Sequence, residues 1–293
     1  MNTVQQGFQG VADPAAAGAL FDWLKHADAQ ASVQEIKRLM LGLAPVREGD
    51  RVLDVGCGIG LETTRLARRV GPSGRVVGID VSTPMIAEAR RRAECDGAQI
   101  EYVVMDAQHL DFPDGAFDLC RTERVLRYIE QPDQALREMT RVLRPGGSVV
   151  AFDFDSDATV IDAPDAVLTR RVREILDAAV PQGWIGRQLP RLFREAGLSE
   201  IEVVPHVLLL PSLESYRRLV EGTLERAVST GRLSADDLTR WWAGLQRAER
   251  VGGLLVANLG FIVSGRRPHS SERTAECAAE DTEQGERWAR LWG

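Results

Sequence analysis

The run from Val52 to Gly60, VLDVGCGIG, combines residue types that suit the binding of a small polar ligand. A short apolar stretch leads into three glycines at alternate positions, Gly56, Gly58 and Gly60. Because glycine has no Cβ, such a turn lets a flat ligand lie against the backbone. Asp54 precedes the turn, where its carboxylate can fix the turn or meet a cationic group.

A second acidic residue follows the glycine turn at the spacing of about twenty residues that is typical of nucleotide-binding folds. Asp80 ends the apolar run Val76–Ile79. A carboxylate at this position lies beside the glycine turn and can accept both hydroxyls of a ribose. We therefore expect Asp80 to bind a ribose.

The glycine spacing argues against a dinucleotide as the ligand. A diphosphate site usually has the pattern G-x-G-x-x-G, but Leu61 stands where the third glycine would be. Glu62, at the start of the next helix, would also repel a diphosphate. A cofactor with a cationic centre and a ribose but no phosphate fits better, and S-adenosylmethionine is such a molecule. A nicotinamide-dependent oxidoreductase is the alternative, which the relative affinities of the two cofactors would decide.

Alternating strand and helix patterns position these residues. Strands are predicted at 51–55, 75–79, 100–104, 117–121 and 147–154, and helices at 61–70, after Thr83 as the N-cap, and at about 133–143. Such alternation is typical of a parallel sheet covered by helices on both faces. Open sheets of this kind bind ligands at the carboxyl ends of their strands, so Asp54 and Asp80 belong to one binding edge.

Five segments of the chain occur in the order seen in the class I S-adenosylmethionine-dependent methyltransferases. They are Val52–Gly60, the strand end at Asp80, Met105–Ala107, Phe112–Asp118 and Leu143–Gly147. Residues 33–155 resemble this family, and most closely its ubiquinone-biosynthesis-like small-molecule branch. The resemblance implies a Rossmann-like, doubly wound α/β sheet of seven strands with the last strand antiparallel. It also implies methyl transfer from S-adenosyl-L-methionine.

The resemblance assigns part of the cofactor site to the glycine turn and the fourth strand. Asp54 and the backbone of Gly56, Cys57 and Gly58 would hold the amino acid part of the cofactor. Arg121 would follow the fourth strand and lie near the sulfonium.

The same resemblance assigns the adenosine part to the second and third strand ends. Asp80 would accept the ribose hydroxyls, and Val81 and Met85 would cover the adenine. Asp106 would accept a hydrogen bond from the exocyclic amine of the adenine, with the amide of Ala107 nearby.

The segment after the fourth strand departs from the family pattern. Many relatives have a histidine there that can remove a proton, whereas this chain has Arg127 and Tyr128. Candidate proton acceptors are instead Asp153 and Asp155, on one face at the end of the fifth strand, together with Tyr128 and His206. A direct displacement from a sulfonium gains most from alignment and needs a base only for acceptors of high pKa. Methyl transfer to oxygen, nitrogen or carbon therefore stays open.

Composition limits the class of partner. The formal charge of −7 argues mildly against nucleic acid. The loop that resembles base-methylating enzymes, Asn/Asp-Pro-Pro-Tyr/Phe, is missing at Leu119–Thr122, and Cys120 is not preceded by the proline of cytosine-C5 enzymes. A small-molecule acceptor remains, and specialised (secondary) metabolism is the expected setting. Four cysteines without C-x-x-C pairing predict free thiols in the cytoplasm. No secretion signal or apolar run long enough for a membrane span is visible, and no cluster has the ligand spacing of a metal site.

The last third of the chain is mainly helical, and the sequence predicts a single domain with helical additions. We expect a flexible N-terminus at 1–19, a methyltransferase domain at 20–267 with cap helices at 20–45 and a helical lid at 211–252, and a disordered tail at 268–293. Trp241 and Trp242 either line an acceptor pocket in the lid or pack on the sheet. Because cofactor binding and chemistry are separable, a binding module or a non-methylating reaction such as a cyclisation remains an alternative.

Overall fold

The computed structural model describes residues 14–96, 100–210 and 212–269. Two helices come first, α1 (Pro14–Asp28) and α2 (Ala31–Leu43). The first of them begins earlier than the sequence predicts, inside the segment expected to be flexible. The rest of that segment and nearly all of the predicted tail lie outside the described residues.

Strands and helices then alternate as the sequence predicts. The elements are β1 (Arg51–Val55), α3 (Leu61–Val70), β2 (Arg75–Asp80), α4 (Thr83–Asp96), β3 (Glu101–Val104), β4 (Phe117–Glu123), α5 (Pro132–Val142) and β5 (Leu143–Phe154). The later elements are β6 (Val160–Ile161), α6 (Ala166–Asp177), α7 (Ile185–Glu195), β7 (Ser199–Leu209), α8 (Leu213–Ser229), α9 (Ala235–Arg250) and β8 (Val256–Arg266). Short 3-10 turns follow β4 at Leu126–Tyr128 and β5 at Ser156–Ala158.

One sheet contains all the described strands. Its order is β3-β2-β1-β4-β5-β8, with β7 on the other side of β8 and the two-residue β6 paired to the start of β8. Strands β1 to β5 pair in parallel, and β8 is antiparallel to each of its neighbours. The predicted doubly wound sheet with an antiparallel last strand is confirmed, and the short β6 adds an eighth strand.

The order of the strands reverses beside β1, because β2 and β4 pair on its two sides. In open α/β sheets this switch point is where ligands bind, at the carboxyl ends of the strands. The glycine turn follows β1 directly, so the fold places it at that position.

Two apolar layers cover the sheet. One packs α2, α3, α6, α8 and α9 against one face, and the other packs α5 and α7 against the opposite face. Trp241 and Trp242 of α9 are buried in the first layer, 2% and 6% exposed. The indole of Trp241 donates a hydrogen bond to Thr169 Oγ1 (3.3 Å). Both tryptophans therefore pack in the core.

The start of α4 differs from the sequence prediction by one residue. The helix already includes Thr83, and the hydroxyl of Ser82 accepts a long hydrogen bond from the amide of Met85 (3.5 Å). Ser82 therefore holds the capping position that the sequence assigned to Thr83. The two residues are equally suited to capping, which is why the pattern alone misplaced the boundary.

In the ranges that the structure describes, every helix is too short or too polar to cross a membrane.

Candidate functional site

The three glycines of the turn after β1 have left-handed φ angles of 71°, 54° and 75° at Gly56, Gly58 and Gly60, a region that glycine adopts without cost. A Cβ added at Gly56 would clash with the side chain of Val125, and one at Gly60 would clash with the hydroxyl of Tyr102. A Cβ added at Gly58 would meet no atom within 4 Å. Only Gly58 therefore faces open space that a ligand could fill.

The amide groups of the turn are already engaged. Gly56 and Cys57 both donate to the carbonyl of Ile79 (2.8 and 2.9 Å), and Gly58 donates to Oδ2 of Asp80 (3.0 Å). These bonds join the ends of β1 and β2 into one rigid edge. Because the amides of Gly56, Cys57 and Gly58 already donate within the protein, the turn does not offer the free amides that an anionic group would need.

Asp80, at the end of β2, forms the other part of this edge. Its Oδ1 accepts the amide of Ser82 (2.9 Å) while Oδ2 accepts the amide of Gly58. Burial raises the pKa of the Asp80 carboxyl, and the two amide donors oppose that rise. Each carboxylate oxygen has two lone pairs, so both oxygens keep one acceptor position for a ligand.

The residues expected to contact adenine lie next to Asp80. Val81 is 46% exposed, and Asp106 is exposed after β3 with its carboxylate bonded to the amide and side chain of Gln108. Ala107 and Met85 are buried, 5% and 2% exposed. The structure thus leaves Val81 and Asp106 open to a ligand, whereas Met85 contributes packing.

Asp54 lies at the base of the turn and is 5% exposed. It accepts a hydrogen bond from the hydroxyl of Thr63 on α3 (2.6 Å). Burial raises the pKa of the Asp54 carboxyl, and the nearby guanidinium of Arg121 opposes the rise. The sequence did not identify Thr63 as a partner of Asp54. Its position in the first turn of the helix after the glycines could have indicated this contact.

Arg121 belongs to a buried group of charges, which we call the ionic cluster. Its members are Asp28, Lys37, Glu62, Arg65, Arg121, Glu123 and Arg124. Arg121 lies within β4, two residues before the strand ends, and contacts Glu123 (2.8 Å) and Glu62 (3.2 Å). The sequence predicted a strand that ends at Arg121 with this residue at its exit, but β4 continues two residues further, so Arg121 lies inside the strand.

Lys37 is the centre of the ionic cluster. Its ammonium lies 3.2 Å from Asp28, 3.1 Å from Glu62 and 3.1 Å from Glu123. The charge of Glu62 is therefore compensated, and the surrounding cations lower the pKa of its carboxyl against the opposing effect of burial. The argument that Glu62 repels a diphosphate is accordingly weaker than the sequence suggested. These charges are too far apart in the sequence to be recognised as one group.

The two aspartates at the end of β5 do not form one open face. Asp153 is fully buried and accepts the amides of Arg127 (3.1 Å) and Phe154 (3.0 Å), and burial raises its pKa to about 6. Asp155 lies beyond the end of β5, where the guanidinium of Arg187 binds both of its oxygens. Both carboxylates are committed to contacts within the protein.

Tyr128 and His206 lie at two further places. Tyr128 ends the 3-10 turn after β4, with the guanidinium of Arg127 5.5 Å from its ring centre, and burial raises the pKa of its hydroxyl. His206 lies on β7 near Glu35 of α2, and burial lowers its pKa. The structure does not bring the four predicted proton acceptors together at one site.

A groove lies beside the switch point, between α1, α8 and the ends of the strands. This α1–α8 groove contains about 560 Å³ of empty space, part of it open to solvent. Its apolar walls include Trp23 and Ala27 from α1, Phe154 and Leu208 from the sheet, and Leu219 from α8. None of the four proton acceptors predicted from the sequence is among the described residues that line it.

The polar residues in the groove were not identified from the sequence. They are His26, Gln30, Arg124, Ser215, Arg218 and Asn258. Histidine is the commonest general base, whereas arginine stays protonated. Among the described lining residues, the imidazole of His26 is therefore the candidate proton acceptor. Its place in the sequence, before the first strand, gave no sign of this role.

Arg124 connects the groove to the ionic cluster. It follows β4 with a left-handed φ of 59°, which is costly for a side chain with a Cβ, on the order of 1–2 kcal/mol. Its amide donates to the carbonyl of Phe152 (2.8 Å), and its guanidinium contacts Glu123 (3.0 Å). Such strain persists where the surrounding structure enforces it, which is common at functional sites.

Comparison with known proteins agrees with the fold and the glycine turn. Residues 52–147 match the protein family described as "Methyltransferase domain". The chain is 40% identical over 127 residues to a ubiquinone/menaquinone biosynthesis C-methyltransferase of Hahella chejuensis, covering 43% of this chain and 51% of that protein. It is also 41% identical over 213 residues to an uncharacterized 37.1 kDa protein in transposon TN4556 of Streptomyces fradiae.

This second match covers 72% of the present chain and 61% of its relative, so the chain spans about half to three fifths of the curated relatives it matches. Among solved structures, the fold is similar to a phosphoethanolamine N-methyltransferase of Haemonchus contortus in complex with S-adenosyl-L-methionine. The TM-score is 0.53 and the identity 20%, and the match covers 80% of this chain and 53% of that one.

The sheet has the strand order of a Rossmann-like fold, and residues 52–147 match a methyltransferase domain. This match and the similarity to ubiquinone/menaquinone biosynthesis C-methyltransferases support membership of the class I S-adenosylmethionine-dependent methyltransferases.

Proposed function

We propose that this protein transfers a methyl group from S-adenosyl-L-methionine to oxygen, nitrogen or carbon of a small molecule, in a reaction of specialised metabolism. The observation that carries the proposal is the open space above Gly58 beside Asp80, at the switch point of a methyltransferase domain. A non-methylating reaction or a role as a binding module remains the second candidate.

The residues present fit this cofactor. Open space at Gly58 leaves room for a ligand against the backbone, and Asp80 keeps acceptor positions for ribose hydroxyls. Val81 and Asp106 are exposed at the same edge, where they would contact the adenine. When bound, S-adenosylmethionine would supply a methyl group on a sulfonium.

The ionic cluster would preorganise the proposed cofactor site. Arg121 and Lys37 hold Glu62 and Glu123 in fixed positions under the glycine turn. Because these carboxylates are buried and paired, they are rigid, and preorganised charges need no rearrangement during a reaction. In this proposal Arg121 positions Glu62 and Glu123 next to the sulfonium end of the cofactor.

The α1–α8 groove is the proposed acceptor site. It shares Arg124 with the ionic cluster and so adjoins the cofactor edge. His26 would accept the proton that leaves an acceptor hydroxyl or amine as the new bond to the methyl carbon forms. The helix that carries His26, α1, would also exclude water from the reacting atoms.

A labelled methyl donor tests the proposal. Full-length protein is incubated with S-adenosylmethionine carrying an isotope-labelled methyl group and an extract of the producing cell, and labelled products are identified. We expect one labelled small molecule, and turnover at least tenfold slower in His26→Ala, since a general base contributes about 10²–10⁴-fold for hydroxyl acceptors.

His109→Ala is the matched control, because His109 is exposed in the loop after β3 and does not line the groove. It should keep wild-type turnover. Bound cofactor without any labelled product would favour the second candidate, and equal turnover in His26→Ala and wild type would remove His26 as the proton acceptor.

A further inference from the structure

We propose that the α1–α8 groove selects an acceptor that joins an apolar, ring-sized body to an anionic group, with Arg124 and Arg218 binding the anion. The role of this molecule as methyl acceptor rests on the proposed function. Its binding to the groove does not, since it follows from the residues that line the groove.

The apolar residues that line the groove indicate the apolar part of the proposed ligand. Trp23, Phe154 and Leu208 lie on its walls with Leu219. Aromatic and branched side chains of this kind bury flat apolar surface well. A flat apolar ligand body would therefore pack against these walls, with part of it open to solvent as the groove is.

The charged residues that line the groove indicate that the ligand carries an anionic group. No aspartate or glutamate is among the described residues that line it, whereas two arginines are. Arg124 contacts Glu123, but that carboxylate also contacts Lys37 and Arg121. Across the ionic cluster four cations contact three carboxylates, so one positive charge is in excess. The guanidinium of Arg124, 27% exposed, can therefore bind a further anion.

Arg218 provides a second cation, from a helix rather than from the sheet. It lies on α8 and pairs with Glu214 one turn earlier. Both side chains are more than half exposed, 55% and 72%, and an exposed pair of this type is weak. A ligand anion in the groove can therefore replace Glu214. Guanidinium groups bind carboxylate and phosphate through paired hydrogen bonds, so two of them in the lining of one groove would favour an anionic ligand.

The backbone at Arg124 supports the same conclusion. The left-handed conformation would suit glycine or asparagine, yet arginine occupies it. The cost of that conformation needs an offsetting gain. Placing a guanidinium at the boundary between the ionic cluster and the groove supplies one.

Equilibrium binding of simple probes to the full-length protein tests the inference. The probes are 2-naphthoate, its neutral counterpart 2-naphthamide, and 2-naphthyl phosphate, measured by titration calorimetry. We expect at least one anionic probe to bind at least tenfold more tightly than the amide, and the tighter of the two identifies carboxylate or phosphate as the preferred group.

Variants locate the binding. Arg124→Asn keeps a residue suited to the left-handed backbone while removing the guanidinium, and Arg218→Ala removes the cation of α8. Each should reduce the preference for the anion at least fivefold. Arg226→Ala is the matched control on the same helix, because Arg226 is exposed and does not line the groove, and it should keep the wild-type preference.

Equal affinity for the amide and both anions would overturn the inference, as would an unchanged preference in both Arg124→Asn and Arg218→Ala. S-adenosylmethionine binding is measured on the same samples. If the cofactor binds but the anion preference is missing, this inference fails while the proposed function stands. If the anion preference is present without cofactor binding, the proposed function fails and the groove assignment remains.

Discussion

The three glycines after β1 show which structural roles can be predicted from residue type alone. Their spacing correctly indicated a turn against which a ligand could lie, because only glycine adopts three left-handed conformations in five residues without strain. The sequence could not separate their roles. Gly56 is required by Val125 and Gly60 by Tyr102, both distant in the chain, whereas Gly58 alone faces open space.

Alanine substitutions should separate these roles. Gly58→Ala should lower the free energy of unfolding by only about 1–2 kcal/mol, the cost of the left-handed backbone, and should weaken S-adenosylmethionine binding because the new methyl enters the open space. Gly60→Ala should be the less stable variant, since its methyl also clashes with buried Tyr102. Denaturant unfolding and calorimetry measure both effects, and unchanged cofactor affinity in Gly58→Ala would contradict the site.

Asp153 should give stability a particular pH dependence. Burial raises its pKa to about 6 in the folded protein from an ordinary value of 3.8, so the folded state binds the proton more tightly than the unfolded state. The resulting stability is present below pH 3.8 and is lost as the pH rises through 6. This loss amounts to about 3 kcal/mol for a shift of this size.

Asp153→Asn removes that titration. Between pH 4 and pH 7, wild type should therefore lose about 2 kcal/mol more stability than Asp153→Asn. Asp114→Asn, at an exposed position that pairs with Arg141, should follow wild type. The three proteins are compared by urea unfolding at each pH, and identical pH dependence in all of them would show that Asp153 does not titrate in this range.

At the scale of elements, the sequence predicted the core of the sheet well. Strands and crossover helices have strong periodic signals, and glycine marks some of their ends, as at Gly71 after α3. Pro145 and Gly146 do not mark an end, because β5 begins at Leu143 rather than at the predicted residue 147. Ends without such residues moved, for example at Glu123 of β4. Contacts between elements could not be predicted, because the ionic cluster joins α1, α2, α3 and β4 through residues up to 96 positions apart, Asp28 to Arg124.

Among the residues of the ionic cluster, Lys37 should cause the largest loss of stability when it is replaced. Lys37→Met leaves three buried carboxylates without their shared cation, and removing one partner of a buried ion pair typically costs about 3–5 kcal/mol. Lys25→Met, whose pair with Asp22 is exposed, should change stability by less than about 1 kcal/mol. Chemical denaturation of both variants makes the comparison, and similar effects in the two would show that the cluster adds little to stability.

At the scale of the whole molecule, the order of strands and helices predicted the fold class. The fold class in turn predicted which edge of the sheet would bind the cofactor. The proposed proton acceptor, His26, could not be predicted in this way, because α1 carries it to the groove from outside the sheet that the periodicity defines. The predicted candidates Asp153 and Asp155 do lie at the end of β5, yet Arg127 and Arg187 engage them. Strand patterns place residues at an edge but do not show which partners already occupy them.

The central claim is that the edge formed by Gly58 and Asp80 binds S-adenosylmethionine. Calorimetric titration of wild type, Asp80→Ala and Asp114→Ala with S-adenosylmethionine and with nicotinamide adenine dinucleotide tests it most directly. We expect wild type and Asp114→Ala to bind S-adenosylmethionine more tightly than the dinucleotide, and Asp80→Ala to lose at least tenfold in affinity. Tighter binding of the dinucleotide, or unchanged affinity in Asp80→Ala, would contradict the claim.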